Sequence, residues 1–164
     1  MAITKYKVIK KNLEAVINYA KNGEKTEQGI LVSGINCLPE NAYEEMMLIK
    51  KIFHKEDGRL GYHFIQSFKG KEVSAEECND IGMELAQSLW GDKFQVLICT
   101  HIDKDNVHNH IILNSVSFKT ILKARINILN EDIERINKKI QTCRRIISKS
   151  EKGEKEEWLI QKRF

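Results

Sequence analysis

The 164-residue chain has one proline, Pro39, and four cysteines, Cys37, Cys78, Cys99 and Cys143, none of them in a C-x-x-C pair. A single proline argues against a disordered, linker-rich chain. Scattered cysteines argue against a zinc ribbon and against a disulfide framework, and they fit a reducing cytoplasm. No apolar run approaches the ~20 residues of a membrane helix, and Met1-Ala2-Ile3-Thr4-Lys5 lacks the apolar core of a signal peptide. Membrane insertion and secretion are therefore not expected. No His-x-Thr pair occurs, which disfavours a two-histidine phosphoesterase. What remains is ample apolar material for a core, 41% of residues.

Positive charge is unevenly placed. Residues 1–118 carry 14 Lys/Arg against 16 Asp/Glu, a net −2, whereas residues 119–164 carry 13 against 7, a net +6. The split suggests a domain over 1–118 and a basic tail over 119–164 with a different job.

The first part reads as alternating strands and helices. Ile3–Ile9 is strand-like, with lysines suited to a sheet edge. Asn12 is a candidate N-cap for a helix through Leu13, Val16, Ile17 and Ala20, stopped at Asn22-Gly23. Gly29–Ile35 reads as a buried strand, and Asn41–Phe53 as an amphipathic helix. Leu60–Phe68 is an aromatic-rich strand, and Ser74-Ala75-Glu76-Glu77 has the form of a capping box before a helix ending at Gly91. Phe94–Thr100 and Val107–Phe118 read as neighbouring strands. This order predicts an α+β fold with a central antiparallel sheet and flanking helices.

Three of five histidines fall within ten residues, in the string Thr100-His101-Ile102-Asp103-Lys104-Asp105-Asn106-Val107-His108-Asn109-His110. His108 and His110 lie two apart on a strand, so their imidazoles share a face. Asp103–Asn106 is a suitable hairpin loop, and antiparallel pairing would return His101 beside that pair. Three imidazoles without a fourth protein ligand describe an open divalent-metal site. Asp103 is placed to accept a ring N–H and orient a ligand histidine. His63, alternating with Ile65, reads as packing.

With Ile111-Ile112-Leu113-Asn114-Ser115-Val116 behind it, H-x-D-x4-H-x-H resembles the third motif of the relaxase/mobilisation nucleases of conjugative plasmids and integrative elements, the His-hydrophobe-His type. Asn12–Tyr19 with Glu24-Lys25-Thr26 resembles the first motif, and Tyr62-His63-Phe64-Ile65-Gln66-Ser67-Phe68 the second. The resemblance covers roughly residues 3–118. It implies a relaxase-like fold and strand-specific DNA nicking and rejoining at a transfer origin. Tyr19 would be the nucleophile and Asp103 a catalytic partner, with Mg²⁺ or Mn²⁺ on His101, His108 and His110. Lys25, Gln66, Ser67 and Asn114 would contact single-stranded DNA, although Gln66 and Ser67 also read simply as a strand end. Tyr6 is the rival nucleophile. Relaxosome accessory proteins and a coupling protein are the implied partners. A free phenol, pKa about 10, is a weak nucleophile at neutral pH, so the tyrosine needs a base or nearby positive charge.

Two features depart from that pattern. Asn109 stands between the paired histidines, with its side chain expected on the far side of the strand. After Phe118-Lys119-Thr120 the chain enters a helix where the family continues with a Gly-containing turn. The alternative is therefore a short or rearranged form that binds DNA or a partner with little cleavage; an unrelated three-histidine metal hydrolase is a third reading. In the tail, Leu122, Ile126, Leu129, Ile133, Ile136, Ile140, Cys143 and Ile147 are spaced alternately by 4 and 3. This heptad predicts a coiled coil, with a possible homodimer through 122–147, or a long helix lying on its own domain. Ser150–Lys155 is expected to break the helix, and Trp158-Leu159-Ile160 to form a small apolar cluster.

Overall fold

A computed structural model describes residues 3–70 and 72–162, with the side chains of 4–70, 72–119, 123, 125–148 and 162. The elements are β1 (Ile3–Ile9), α1 (Leu13–Ala20), β2 (Val32–Ile35), α2 (Ala42–Ile52), β3 (Gly61–Ser67), α3 (Ala75–Trp90), β4 (Val96–His101), β5 (His108–Asn114) and α4 (Phe118–Gln161). Five strands form one sheet in the order β1-β3-β5-β4-β2, with every neighbouring pair antiparallel. The fold is α+β, as the sequence pattern predicts. The chain divides into two compact units, Met1–Ile121 and Leu122–Phe164.

Alternation along the strands sorts side chains onto two faces. On one, Ile9, Leu97, Cys99 and Ile112 pack with Leu13, Ile17 and Ala20 of α1 and Ala42 and Met46 of α2. On the other, Val96, Ile98, Ile111 and Leu113 meet Ala86 of α3, with Met83 and Trp90 against them. Helices on both faces bury β4 and β5 along their whole length, and each strand carries an unbroken apolar run, Val96–Cys99 and Ile111–Leu113. The capping box forms at α3: the Glu77 N–H donates to Ser74 Oγ at 3.1 Å, and the Ser74 N–H to a Glu77 carboxylate oxygen at 2.8 Å.

A buried polar cluster fastens α3 to the centre of the sheet. Asn109 Nδ2 donates to Cys78 O (2.6 Å) and Gln66 Oε1 (3.0 Å), and Thr100 Oγ1 donates to Asn109 Oδ1 (2.6 Å). Gly82 lets the helix approach, since a Cβ there would lie 2.5 Å from Asn109 Nδ2. Asn109 thus faces away from its neighbouring histidines, as expected.

Several boundaries differ from the sequence pattern. Asn12 precedes α1 in the left-handed region (φ 56°) and makes no side-chain capping bond, so burial of Leu13, Ile17 and Ala20 holds this short helix. The predicted strand over Gly29–Ile35 begins only at Val32, because Glu27, Gln28 and Gly29 have φ of 51°, 55° and 90°, which no strand accommodates. The last strand stops at Asn114 instead of Phe118. Its side chain accepts from the Val116 N–H at 3.2 Å, turning the chain, and α4 starts at Phe118. Helix α4 also continues through Ser150–Lys155, where only Gly153 is a poor helix former. In the second unit, Ile126, Leu129, Ile133, Ile136, Ile140 and Ile147 are all exposed. The side chains of Trp158-Leu159-Ile160 lie outside the described residues. Among the described residues no helix is long and apolar enough to cross a membrane.

Candidate active site

The β4–β5 register places His101 directly opposite His108 and Cys99 opposite His110, so all three imidazoles emerge on the α1 side of the sheet. Their ring centroids are 4.2 Å (His101–His110), 5.1 Å (His108–His110) and 5.3 Å (His101–His108) apart. One ring nitrogen from each lies within 4.8 Å of the others. All three rings are buried.

Each ring has one nitrogen occupied. His101 Nε2 donates to Ala20 O at 2.8 Å, a carbonyl left open by the end of α1. His108 Nδ1 donates to Asn106 O at 3.0 Å, within its own hairpin loop. His110 Nδ1 lies 2.6 Å from His63 Nε2. That leaves His101 Nδ1, His108 Nε2 and His110 Nε2 as the nitrogens not taken by these contacts. His110 Nε2 is buried with no hydrogen-bond partner among the described residues. A buried orphan nitrogen in a three-imidazole cluster is the donor set a divalent cation requires, so these residues fit a metal.

Burial, and then the neighbouring His101 and His63, pushes His110 down to about 3. Burial also lowers His101, partly offset by its bond to Ala20, and lowers His63, with Lys7 adding to the effect. His101, His110 and His63 are thus held as neutral imidazoles, the form that binds metal.

Tyr19, in the last turn of α1, stands against this cluster. Its ring centroid is 5.7 Å from that of His101 and 5.5 Å from that of His110, edge-on to the latter, and the residue is 50% exposed. Tyr19, Ser67, Asp103, His108 and His110 line an open cleft of about 690 Å³. The Ile102 N–H donates to Lys25 O at 2.9 Å, tying the loop after α1 to the β4–β5 hairpin. Lys25 Nζ consequently reaches Asp103 at 3.3 Å and lies 4.6 Å from the Tyr19 ring centroid. Burial pushes the Asp103 carboxyl up, but Lys25 outweighs it and holds the group below the usual range. The hydrogen bond to Asp103 in turn raises Lys25.

The structure gathers Tyr19, Lys25, Ser67, Asp103 and the three histidines, and leaves two expected DNA contacts elsewhere. Gln66 pairs with Asn109 in register and points to the α3 side, buried, accepting from Asn109. Asn114 is fully buried at the far end of β5, accepting from Lys50 Nζ at 2.6 Å and donating to Gln95 Oε1 at 2.9 Å. Neither can reach a strand in the cleft. Asp103 pairs with Lys25 instead of a histidine ring; the Ala20 and Asn106 carbonyls and His63 take those contacts. Tyr6 lies on the opposite face, 5.8 Å from Phe64 between ring centroids, which removes it as rival to Tyr19. His63 is the neighbour of the cluster that sequence reasoning missed. The available signal was its spacing: two residues before Ile65 and four before Ser67, it shares their face, and Ile65 pairs with His110.

Residues 19–149 match the family model described as relaxase, MobA/VirD2-like, nuclease domain. The chain is similar to two proteins named Protein rlx from Staphylococcus aureus, 43% identical over 117 residues (71% of this chain, 35% of the relative) and 37% over 123 residues (75% and 37%). It is also similar to the group II intron-interrupted relaxase LtrB of Lactococcus lactis subsp. cremoris (strain MG1363), 36% identical over 67 residues (40% of this chain, 12% of the relative). The chain belongs to the MobA/VirD2-like relaxase nuclease-domain family. It spans just over a third of the length of the staphylococcal relatives.

Keeping His110 neutral has a consequence for stability. Folded His110 stays uncharged down to about pH 3, whereas the unfolded residue takes up a proton near 6.5. The unfolded state therefore binds more protons between these values, and stability falls as pH drops through that window. Metal-free protein should lose roughly 2 kcal/mol through His110 between pH 7 and 5. Urea denaturation should show this loss, with a shallower pH slope in His110→Gln; equal slopes would show that His110 is not held neutral.

Proposed function

We propose that the chain nicks and rejoins one strand of DNA at a transfer origin in conjugative mobilisation, with Tyr19 as the nucleophile. The observation that carries the reading is the placement of Tyr19: half-exposed on the cleft, its ring 5.5 Å and 5.7 Å from two of three converging histidines. The Tyr19 oxygen attacks phosphorus, a P–O bond to tyrosine forms, and the bond to the 3′ oxygen breaks. The phenolic proton is lost and the departing 3′ oxygen takes one up as a hydroxyl. The 5′ phosphate stays on the protein, and the reverse attack restores the phosphodiester without ATP.

His101, His108 and His110 would hold Mg²⁺ or Mn²⁺, which supplies positive charge for the phosphate oxygens as negative charge builds in the transition state. Lys25 holds a positive charge 4.6 Å from the Tyr19 ring centroid, and Asp103 positions Lys25. Ser67, opposite His108 on β3, offers a hydroxyl to the phosphate backbone. The division into a nuclease domain over 1–118 and a basic tail over 119–164 belongs to this reading. So do a cytoplasmic setting, consistent with four free cysteines, and accessory and coupling proteins as partners. The exposed isoleucine stripe of α4 supports a homodimer through 122–147.

An end-labelled single-stranded oligonucleotide carrying the transfer origin of the encoding element tests the reaction. With Mg²⁺ or Mn²⁺ the chain should yield a covalent protein–DNA adduct on denaturing gels, and Tyr19→Phe should yield none. An adduct that survives in Tyr19→Phe refutes the nucleophile, and DNA binding without any adduct favours a binding module. Sedimentation should show a dimer that Ile133→Asp converts to monomer; a monomeric unsubstituted chain removes the coil.

A further inference from the structure

We propose that His63 is a positioning residue for the metal centre: it accepts the His110 Nδ1–H and so fixes the tautomer that presents His110 Nε2 to a cation. The inference rests on the three-histidine metal site above and adds a residue from another strand to it.

The proton placement follows from two observations. His63 Nε2 and His110 Nδ1 are 2.6 Å apart, so one proton lies between them. A neutral imidazole has a single N–H. If His63 were the donor, the proton of His110 would sit on Nε2, which is buried without an acceptor among the described residues. That arrangement strands a buried donor and points an N–H into the space shared with His101 and His108. If His110 donates from Nδ1, Nε2 becomes a bare lone pair aimed at that space, and His63 carries its own proton on Nδ1. Only the second arrangement leaves no buried N–H unpaired.

The fold builds this contact deliberately. β3 pairs with β5 so that Ile65 faces His110, which sets His63 one diagonal step away on the same face. The two rings lie with centroids 4.8 Å apart and tilted by 32°. His101 and His108 are served by backbone carbonyls, Ala20 O and Asn106 O. His110, mid-strand, instead has a side chain on its Nδ1, the His63 ring. His63 is not a fourth ligand, because its near nitrogen is spent on His110. An acceptor behind a ligand imidazole orients the ring and raises its basicity, and its loss typically weakens metal affinity 10- to 100-fold.

Mn²⁺ titration of the full chain by calorimetry tests this, with thermal melts verifying the fold of each variant. His63→Leu, which cannot accept, should bind Mn²⁺ at least tenfold more weakly. His63→Gln, whose Oε1 can take the place of Nε2, should stay within about threefold of the unsubstituted chain. Equal binding by the Leu variant, or a Gln variant as weak as Leu, overturns the proposal. Should the Leu variant fail to fold, ¹⁵N spectra of the imidazoles in metal-free, unsubstituted protein decide: His110 protonated on Nδ1 supports it, and on Nε2 overturns it. An unsubstituted chain with the Nδ1 tautomer but no affinity for Mn²⁺ sinks the metal-site reading and this inference with it.

Discussion

The β4–β5 register is the constraint on which the site depends. Pairing His101 with His108, and Cys99 with His110, puts three imidazoles on one face and Asn109 on the other. A slip of one residue would send His108 and His110 to the α3 side and bring Asn109 into the cluster. The Asn109–Thr100–Gln66–Cys78 hydrogen bonds oppose that slip, because they can form only in the observed register. A polar cluster on one side of the sheet thus secures the histidine cluster on the other. Both histidine strands are also covered on both faces, so little freedom remains for the rings they carry.

Helix α1 completes the arrangement from outside the sheet. Its buried residues Leu13, Ile17 and Ala20 dock on Leu97, Cys99 and Ile112. The same docking sets two functional atoms: the Ala20 carbonyl, which receives the His101 ring N–H, and the Tyr19 ring, which stands beside His101 and His110. One apolar interface therefore orients the His101 ring and places the candidate nucleophile. Local charge follows the same economy. Residues 1–118 carry a net −2, yet the cleft holds Lys25, and in the proposed reading its three histidines seat a dication, whose charge a count of side chains omits.

The histidine triad was legible because strand period and hairpin return operate over ten residues, and both are local. Tyr19 and the α+β order were legible for similar reasons, helped by three ordered motifs. What escaped depended on pairing between distant strands. Gln66 and Ser67 are adjacent in sequence, yet β3–β5 register sends Ser67 to the cleft and Gln66 beneath the sheet. Asn114 shares its face with the histidines but lies under α2, where Lys50 claims it. His63 looked like packing because its partner is 47 residues away. Asp103 was expected to orient a histidine, but the loop through Lys25 captures it first. Successive positive φ angles at Glu27, Gln28 and Gly29 likewise gave no pattern that hydrophobic periodicity could register.

The central claim is that three imidazoles form one cation site through nitrogens selected by their hydrogen bonds. Crystals of the chain grown with Mn²⁺ and measured at a wavelength giving a strong manganese anomalous signal address it most directly. The account predicts one peak bonded to His101 Nδ1, His108 Nε2 and His110 Nε2, on the cleft side beside Tyr19. A map with no peak among these rings, or with the ion bound through the opposite ring nitrogens, would contradict it.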